Sequence, residues 1–485
     1  MLLPSTLRKY LSITIFLIVY YVLVISWSLL PHRPWTISSF QIRLSPTWND
    51  RSTPSLSPLP LVYSQTASKL TGCARRLGTP LIQEASNTSV NYCSNASSSS
   101  LTCFRTHVST ERIDSFCIGT PAVFDREEMK FELGCALSDS TEQQVAADVP
   151  AFARFPSYWY ETGPRIILQR HVKMDPGETV RSEHIGLPKN FTILVRREAA
   201  IDNLFHHLMQ IFSTFLTLDV LQMALDPVTG NPFFRAEDVA NTRVVIFDDH
   251  EEGPFFDQWT AFAKRPLMRI QDLQSDATPA PENIIVPLPG AANMLWQDDW
   301  APSHCEESKL LQVFSQRMLD FYGINDELGP PERPLVLTFL SRTEKRSLIN
   351  KEAYIDGLRL SYPNVEINLV NFASLPFAEQ LRTIRETDIL AGVHGAGLTH
   401  GIFLRPSSTM VEIMPPNFNH KGFRNLAKFS GHRYFTTHAD EHANYTTPKG
   451  WQTDDVFIEQ DRFNGLMNAA IKSMYHRGLR NDDVN

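Results

Sequence analysis

Residues 388–413 read DILAGVHGAGLTHGIFLRPSSTMVEI, and the fold is decided by how this stretch is read. Asp388 to Val393 has the length and apolar content of a buried strand. It runs into Gly392, His394, Gly395, Ala396 and Gly397, and a helix is expected to start near Leu398. A further apolar run, Met410 to Ile413, follows as the next strand. Glycines let a backbone approach a ligand closely, and the free amides at a helix start attract a diphosphate. Thr399 adds a hydroxyl, and His394 a ring N–H for a phosphate oxygen. The spacing matches neither G-x-G-x-x-G nor the P-loop. Taken alone, the loop is a tight turn that needs small residues.

The same alternation extends in both directions. Upstream, Leu335–Leu340 and Val365–Val370 read as strands, and residues 376–386 as a helix with Phe377, Leu381 and Ile384 on one side. Downstream, Phe463, Leu466, Met467, Ala470, Ile471 and Met474 mark a last amphipathic helix. A second α/β pattern precedes residue 333. It has strands at 193–195, 243–247 and 283–288 and helices at 201–225 and 308–321. Strand–helix alternation of this kind predicts parallel sheets covered by helices, in two α/β units with a cleft between them. The expected divisions are 151–332 for the first α/β unit, 333–455 for the second and 456–485 for a C-terminal helix and tail.

The N-terminal third reads differently. Residues 11–30, LSITIFLIVYYVLVISWSLL, carry no charge and are long enough to cross a bilayer as one helix. Arg8 and Lys9 precede this run, so residues 1–10 are expected in the cytosol and the rest in the lumen of the Golgi or ER, as a single-pass type II protein. No small-residue cleavage site follows, which favours an anchor over a signal peptide. Residues 31–70 are rich in Pro and Ser and are expected to form an extended stem. Five of the six cysteines fall in residues 71–150, a separate cysteine-rich segment that reads as disulfides in an oxidising compartment. Their pairing is open. Four N-x-S/T sequons, at Asn87, Asn95, Asn190 and Asn444, suit the same compartment. The net charge of −8 argues against nucleic acid as a partner. The absence of G-x-S-x-G and H-E-x-x-H argues against two common hydrolase types.

The stretch GVHGAGLTHGIFLRPSSTMVEI resembles the signature of glycosyltransferase family 61. The resemblance runs from about residue 190 to 435. It takes in Asn203, His206 and His207 in an N-x-x-H-H pattern, then Ser341, Arg342, Arg346, Asn350, Glu379, Gln380 and Asp388. It implies a GT-B-like fold of two Rossmann-type domains facing a cleft, inversion at the anomeric carbon and a UDP-sugar donor. UDP-GlcNAc comes first and UDP-xylose second, and the acceptor is a glycoprotein or polysaccharide.

Within that frame, Arg342 and Arg346 stand ready to neutralise a departing diphosphate. The donor set is completed by His394, Gly395, Ala396, Gly397, Leu398 and Thr399, with Glu412 for ribose hydroxyls or a structural ion pair. An inverting transfer needs a base for the acceptor hydroxyl. The candidates are His206, His207, Asp248 and Asp249. The two histidines point about 100 degrees apart on a helix, so one faces the cleft and the other does not. Asp248 and Asp249 follow a strand and are also the candidate ligands should Mg²⁺ or Mn²⁺ be used. A non-catalytic nucleotide- or glycan-binding relative acting as a scaffold is the alternative function.

Overall fold

A computed structural model of the chain describes residues 59–63, 73–107, 112–138, 149–158, 160–176, 189–275, 280–297, 299–324, 333–441 and 450–476. The expected cytosolic tail, the anchor at 11–30, the stem up to residue 58 and the Asn444 sequon lie outside the described residues.

Nine strands form the first sheet. They are β1 (Val90–Asn91), β2 (Ser100–Thr106), β3 (Asp114–Asp125), β4 (Lys130–Leu133), β5 (Val172–Met174), β6 (Phe191–Val195), β7 (Thr242–Ile246), β8 (Met268–Arg269) and β9 (Glu282–Val286). The order is β1-β2-β3-β9-β6-β7-β8, with β4 and β5 attached to the side of β3. Strands β9, β6, β7 and β8 run parallel, and β1 to β4 extend them as antiparallel neighbours. The cysteine-rich segment is therefore one half of this sheet and not a separate module. The physical reason is that β2 and β3 are apolar on both faces. Phe104 and Phe116 stack at 5.1 Å and are wholly buried on one side, while Cys103 and Cys117 are buried on the other. All six cysteines pair, as Cys73–Cys305, Cys93–Cys135 and Cys103–Cys117, which suits an oxidising compartment.

The first sheet's helices are α1 (Thr79–Ser86), α2 (Pro164–His171), α3 (Leu204–Met223) and α4 (Lys309–Phe321). Asn203 caps α3, its side chain accepting from the amides of Phe205 and His206. Among the described residues α3 is the one helix long and apolar enough to cross a membrane, but it is a core helix, with most of its residues buried inside the protein. His207 faces that core, beside Phe255 and Trp259 at 5.6 Å each.

The second sheet contains β10 (Leu335–Leu340), β11 (Val365–Val370), β12 (Ile389–Val393), β13 (Thr409–Met414) and β14 (Arg433–His438). All five are parallel, in the order β11-β10-β12-β13-β14. Alternate residues reach opposite layers, as a pleated strand requires. Leu337, Ile389, Ala391, Val411 and Ile413 pack under α5 (Lys351–Ser361) and a later helix, Gln460–Tyr475. Leu340, Leu390 and Met410 pack with α6 (Phe377–Glu386), α7 (Gly422–Phe429) and a 3₁₀ helix, Ala396–Phe403. The later helix, α8, covers the sheet, so the expected C-terminal tail segment belongs to this unit as far as Tyr475. Both sheets lie in one compact unit, and the second apolar layer is continuous with the core around α3 and α4.

Residues 59–63, expected in the stem, are tied to this core. The Tyr63 hydroxyl donates to Asp219 Oδ2 (2.5 Å), and Arg317 donates to both Asp219 oxygens at 2.8 and 2.7 Å. Asp219 is 1% exposed. Removing one member of a buried ion pair strands the other. Asp219→Ala should cost about 3–5 kcal/mol in a denaturant titration.

Three buried histidines make stability depend on pH. Desolvation holds His207 down to about 3 and His400 and His432 down to about 4. The unfolded chain takes up these protons near 6.5, well before the folded protein does. The stability contributed by the neutral rings is complete above that value and is lost as pH falls towards 4. His207→Phe should therefore reduce the slope of unfolding free energy by about 1.4 kcal/mol per pH unit below pH 6.5. An unchanged slope would mean that the ring already titrates in the fold.

Candidate functional site

The order of the second sheet, numbered within itself, is 2-1-3-4-5, and ligands of such sheets bind beyond the strand ends where the order reverses. That point lies between β10 and β12. The chain leaving β10 carries Arg342 and Arg346, and the chain leaving β12 carries His394 to Gly397. The two segments touch. A methyl added at Gly395 would fall 2.0 Å from Arg342 Nη1 and 3.2 Å from Arg346 Nη2. Gly395 also sits at φ +156, so both space and backbone require glycine here.

Among the described residues, neither guanidinium has an acidic partner. Arg342 donates from Nε to the Lys345 carbonyl at 2.8 Å, and Arg346 Nε is buried with no acceptor. Burial lowers the pKa of both. Arg346 is held at about 10 by desolvation first and by Arg342 second. Arg346 also has φ +56, a left-handed backbone that costs an arginine about 1–2 kcal/mol. Two like charges, half-desolvated, strained and without counter-ions, form a site prepared for a polyanion.

The loop itself differs from the expectation in one respect. The helix that follows Gly395 is 3₁₀, over Ala396–Phe403. Gly401 lets this helix lie against β13, since a methyl there would be 2.5 Å from the Met410 sulfur. Ala396 and Gly397 are partly exposed, whereas Leu398 is wholly buried and belongs to the core. Thr399 is buried too, its hydroxyl without a partner.

His394 is fixed by Glu412, with Nδ1 2.5 Å from Oε1. The Tyr434 hydroxyl donates to the other Glu412 oxygen. With a partner on each oxygen, Glu412 fits the structural ion pair, holding His394 in place. Burial lowers the His394 pKa, with Glu412 opposing. A neutral ring that donates from Nδ1 presents Nε2 as an acceptor, so the expected hydrogen bond to phosphate requires a second proton on this ring.

The candidate bases separate by environment. Asp248 is 2% exposed, and Arg197 donates to it from Nη2 at 2.7 Å and from its backbone amide at 2.7 Å. It is a latch between the loops that follow β6 and β7, neither a base nor a metal ligand. Asp249 is 99% exposed in its side chain, with only His250 near, at 3.8 Å. Among the described residues, no group of three or more His, Cys, Asp or Glu is arranged to hold a metal ion. His207 is in the core, as described above. His206 is partly exposed, 16% in its side chain. Its Nδ1 lies 2.6 Å from Glu198 Oε2, and its ring is walled by Trp296 at 4.6 Å and Tyr160 at 4.9 Å. Glu198 is 2% exposed, and its carboxyl pKa is raised by desolvation, with His206 opposing.

Glu198 was missed in the sequence because nothing in its local pattern distinguishes it from a surface carboxylate. Only the fold brings it beside the first turn of α3. A run of rings joins His206 to the arginine cradle: Trp296, Phe205, Phe423 and His394, each step between 4.6 and 6.4 Å. Of the sequons, Asn87 and Asn95 are exposed, and Asn190 is partly buried.

The glycosyltransferase 61 family model matches residues 204–411. The chain is similar to the EGF domain-specific O-linked N-acetylglucosamine transferase of Drosophila melanogaster, at 27% identity over 62% of this chain and 52% of that protein. The Rattus norvegicus protein of the same name is 28% identical over 50% of this chain and 44% of its own length. The chain thus spans about half the length of the curated relatives it matches. A solved glycosyl transferase family 9 structure from Veillonella parvula DSM 2008 overlaps 60% of this chain and 100% of its own, at 8% identity and TM-score 0.24, too loosely to bear on the fold. The segment matched by the family model holds His206, both cradle arginines and the glycine loop, and these matches support an assignment to glycosyltransferase family 61.

Proposed function

We propose that this chain is an inverting, UDP-sugar-dependent glycosyltransferase, GT-B-like in arrangement. It transfers GlcNAc, or less favoured xylose, to a hydroxyl of a glycoprotein or polysaccharide in the secretory pathway. Residues 11–30 anchor it in the Golgi or ER membrane. The observation that carries the reading is the pair of guanidinium groups, without an acidic partner among the described residues, lying on Gly395 at the switch point of a parallel sheet. The names of the relatives favour GlcNAc as the sugar.

In this reading the diphosphate lies against the Arg342 and Arg346 guanidiniums and the amides of Gly395 to Gly397. His206 accepts the acceptor's hydroxyl proton on Nε2 while Nδ1–H donates to Glu198. The acceptor oxygen bonds to the anomeric carbon from the face opposite the leaving group. The bond from that carbon to the β-phosphate oxygen breaks, and UDP leaves with its electron pair. Glu198 stabilises the imidazolium as it forms, and the arginines stabilise charge that grows on the diphosphate. No step is assigned to a metal ion, and the use of Mg²⁺ or Mn²⁺ is a separate measurement.

Calorimetry with UDP, GDP and CMP tests the donor site, and failure to bind any of the three overturns the proposal. Arg342→Ala should weaken UDP binding roughly 10- to 100-fold, as expected for loss of a charged hydrogen-bonding group. Gly395→Ala should act in the same direction by displacing that guanidinium. His206→Ala should reduce sugar transfer by about 10²- to 10⁴-fold with UDP affinity retained. Equal turnover in wild type and His206→Ala would remove the histidine from this role.

A further inference from the structure

Next to the cradle is a second set of residues that the transfer mechanism does not use. Trp300 is 62% exposed and is the only exposed tryptophan among the described residues. It is nonetheless held in place. Its ring stands edge-to-face on His420 at 5.0 Å and on Phe418 at 5.6 Å, and Phe418 stacks in turn on Trp451 at 4.4 Å. An exposed indole costs solvation without gaining packing on its open side, so a fixed one offers a ready surface to a flat apolar face.

Its neighbour Asp299 is fixed as well. The Gly422 amide donates to His420 Nδ1 at 3.2 Å, so the ring's hydrogen is on Nε2 and is donated to Asp299 Oδ2 at 3.0 Å. The Lys421 amide donates to the Asp299 carbonyl at 2.7 Å. Gly422 makes room for this arrangement, since a methyl there would lie 2.4 Å from His420 Cε1. Asp299 Oδ1 has no hydrogen-bond partner among the described residues, and the side chain is 15% exposed. The set also adjoins the cradle, because the His420 ring lies 5.3 Å from that of His394.

We infer that Trp300 and Asp299 form the subsite for the transferred sugar of the donor, with one face of the pyranose on the indole and a hydroxyl donated to Asp299 Oδ1. This rests on the donor reading of the arginine cradle. A pyranose fits better than the nucleobase for two reasons. A carboxylate only accepts hydrogen bonds, and a sugar ring offers several hydroxyl donors where uracil offers one N–H. The sugar is also bonded directly to the β-phosphate, so it occupies the space next to the phosphate loop, which is where His420 meets His394.

The test is calorimetry on the purified full chain with UDP, UDP-GlcNAc and UDP-xylose. Trp300→Ala should weaken the tighter of the two UDP-sugars about tenfold and leave free UDP within about twofold. Trp300→Phe should restore most of the loss. The melting temperature should not move, because the side chain is largely exposed. An equal loss for UDP and UDP-sugar would assign the surface to the nucleobase and overturn the inference, as would no loss for either. Wild-type protein that binds no UDP would defeat the cradle itself, a failure distinguishable from this one.

Discussion

Two positive charges held together on a glycine backbone, with no acidic partner among the described residues, are the constraint around which the rest of the site is arranged. Like charges in a half-dry environment repel, and Arg346 shows the cost in its lowered pKa and its left-handed backbone. A fold keeps such an arrangement only when the surrounding structure over-determines it. Here the constraints come from several directions. Strand β10 fixes the start of the arginine segment, and the Arg346 amide bonds to the Thr453 carbonyl at 3.3 Å. Strand β12 fixes Gly395, where any side chain would strike the guanidinium. Lys351 Nζ donates to the Arg342 carbonyl at 2.8 Å, which adds a third positive charge beneath the segment.

The site's two histidines illustrate how one residue type is given different work. Both have Nδ1 against a buried carboxylate, His206 on Glu198 and His394 on Glu412. The Glu412 carboxylate is also bonded by Tyr434 and so has a partner on each oxygen. Glu198 keeps Oε1 buried and without a partner, and its pKa is raised. A carboxylate in that state gains most when a positive charge appears on its partner. In the proposed transfer this asymmetry gives the base role to His206 and leaves His394 as a well-fixed wall between the cradle and the aromatic rings.

Much of the C-terminal sheet was legible because its strands are buried on both faces and read as continuous apolar runs. Leu335–Leu340 and Val365–Val370 fall where the pattern put them. β14 was missed, since RYFTTH mixes polar and aromatic residues and packs at a sheet edge. The site was partly legible. Arg342, Arg346 and Gly395 converge, as their places at neighbouring strand ends suggest. Asp248 was misread because its partner Arg197 comes from a different strand end, 51 residues away in sequence. Helical spacing said that only one of His206 and His207 faces the cleft, but not which one. That depends on Phe255 and Trp259, which reach His207 from a distant segment. Asp299 and Trp300 gave no local pattern at all, and their meaning comes from His420, more than a hundred residues later in the chain.

The shared core also bears on how the site is assembled. α3 begins at Leu204, two residues before His206, and farther along it packs against the 3₁₀ helix that starts at the cradle glycine. Phe314 of α4 lies 4.9 Å from Phe212 of α3 and 6.5 Å from Phe403 at the far end of that 3₁₀ helix. His206 and the glycine loop are thus the tips of two elements joined through one close-packed apolar layer. Packing of that density resists relative displacement. In the proposed transfer, the separation between His206 and the leaving diphosphate would therefore be set when the chain folds, and positioning would come mainly from preorganisation rather than from closure of one lobe on the other.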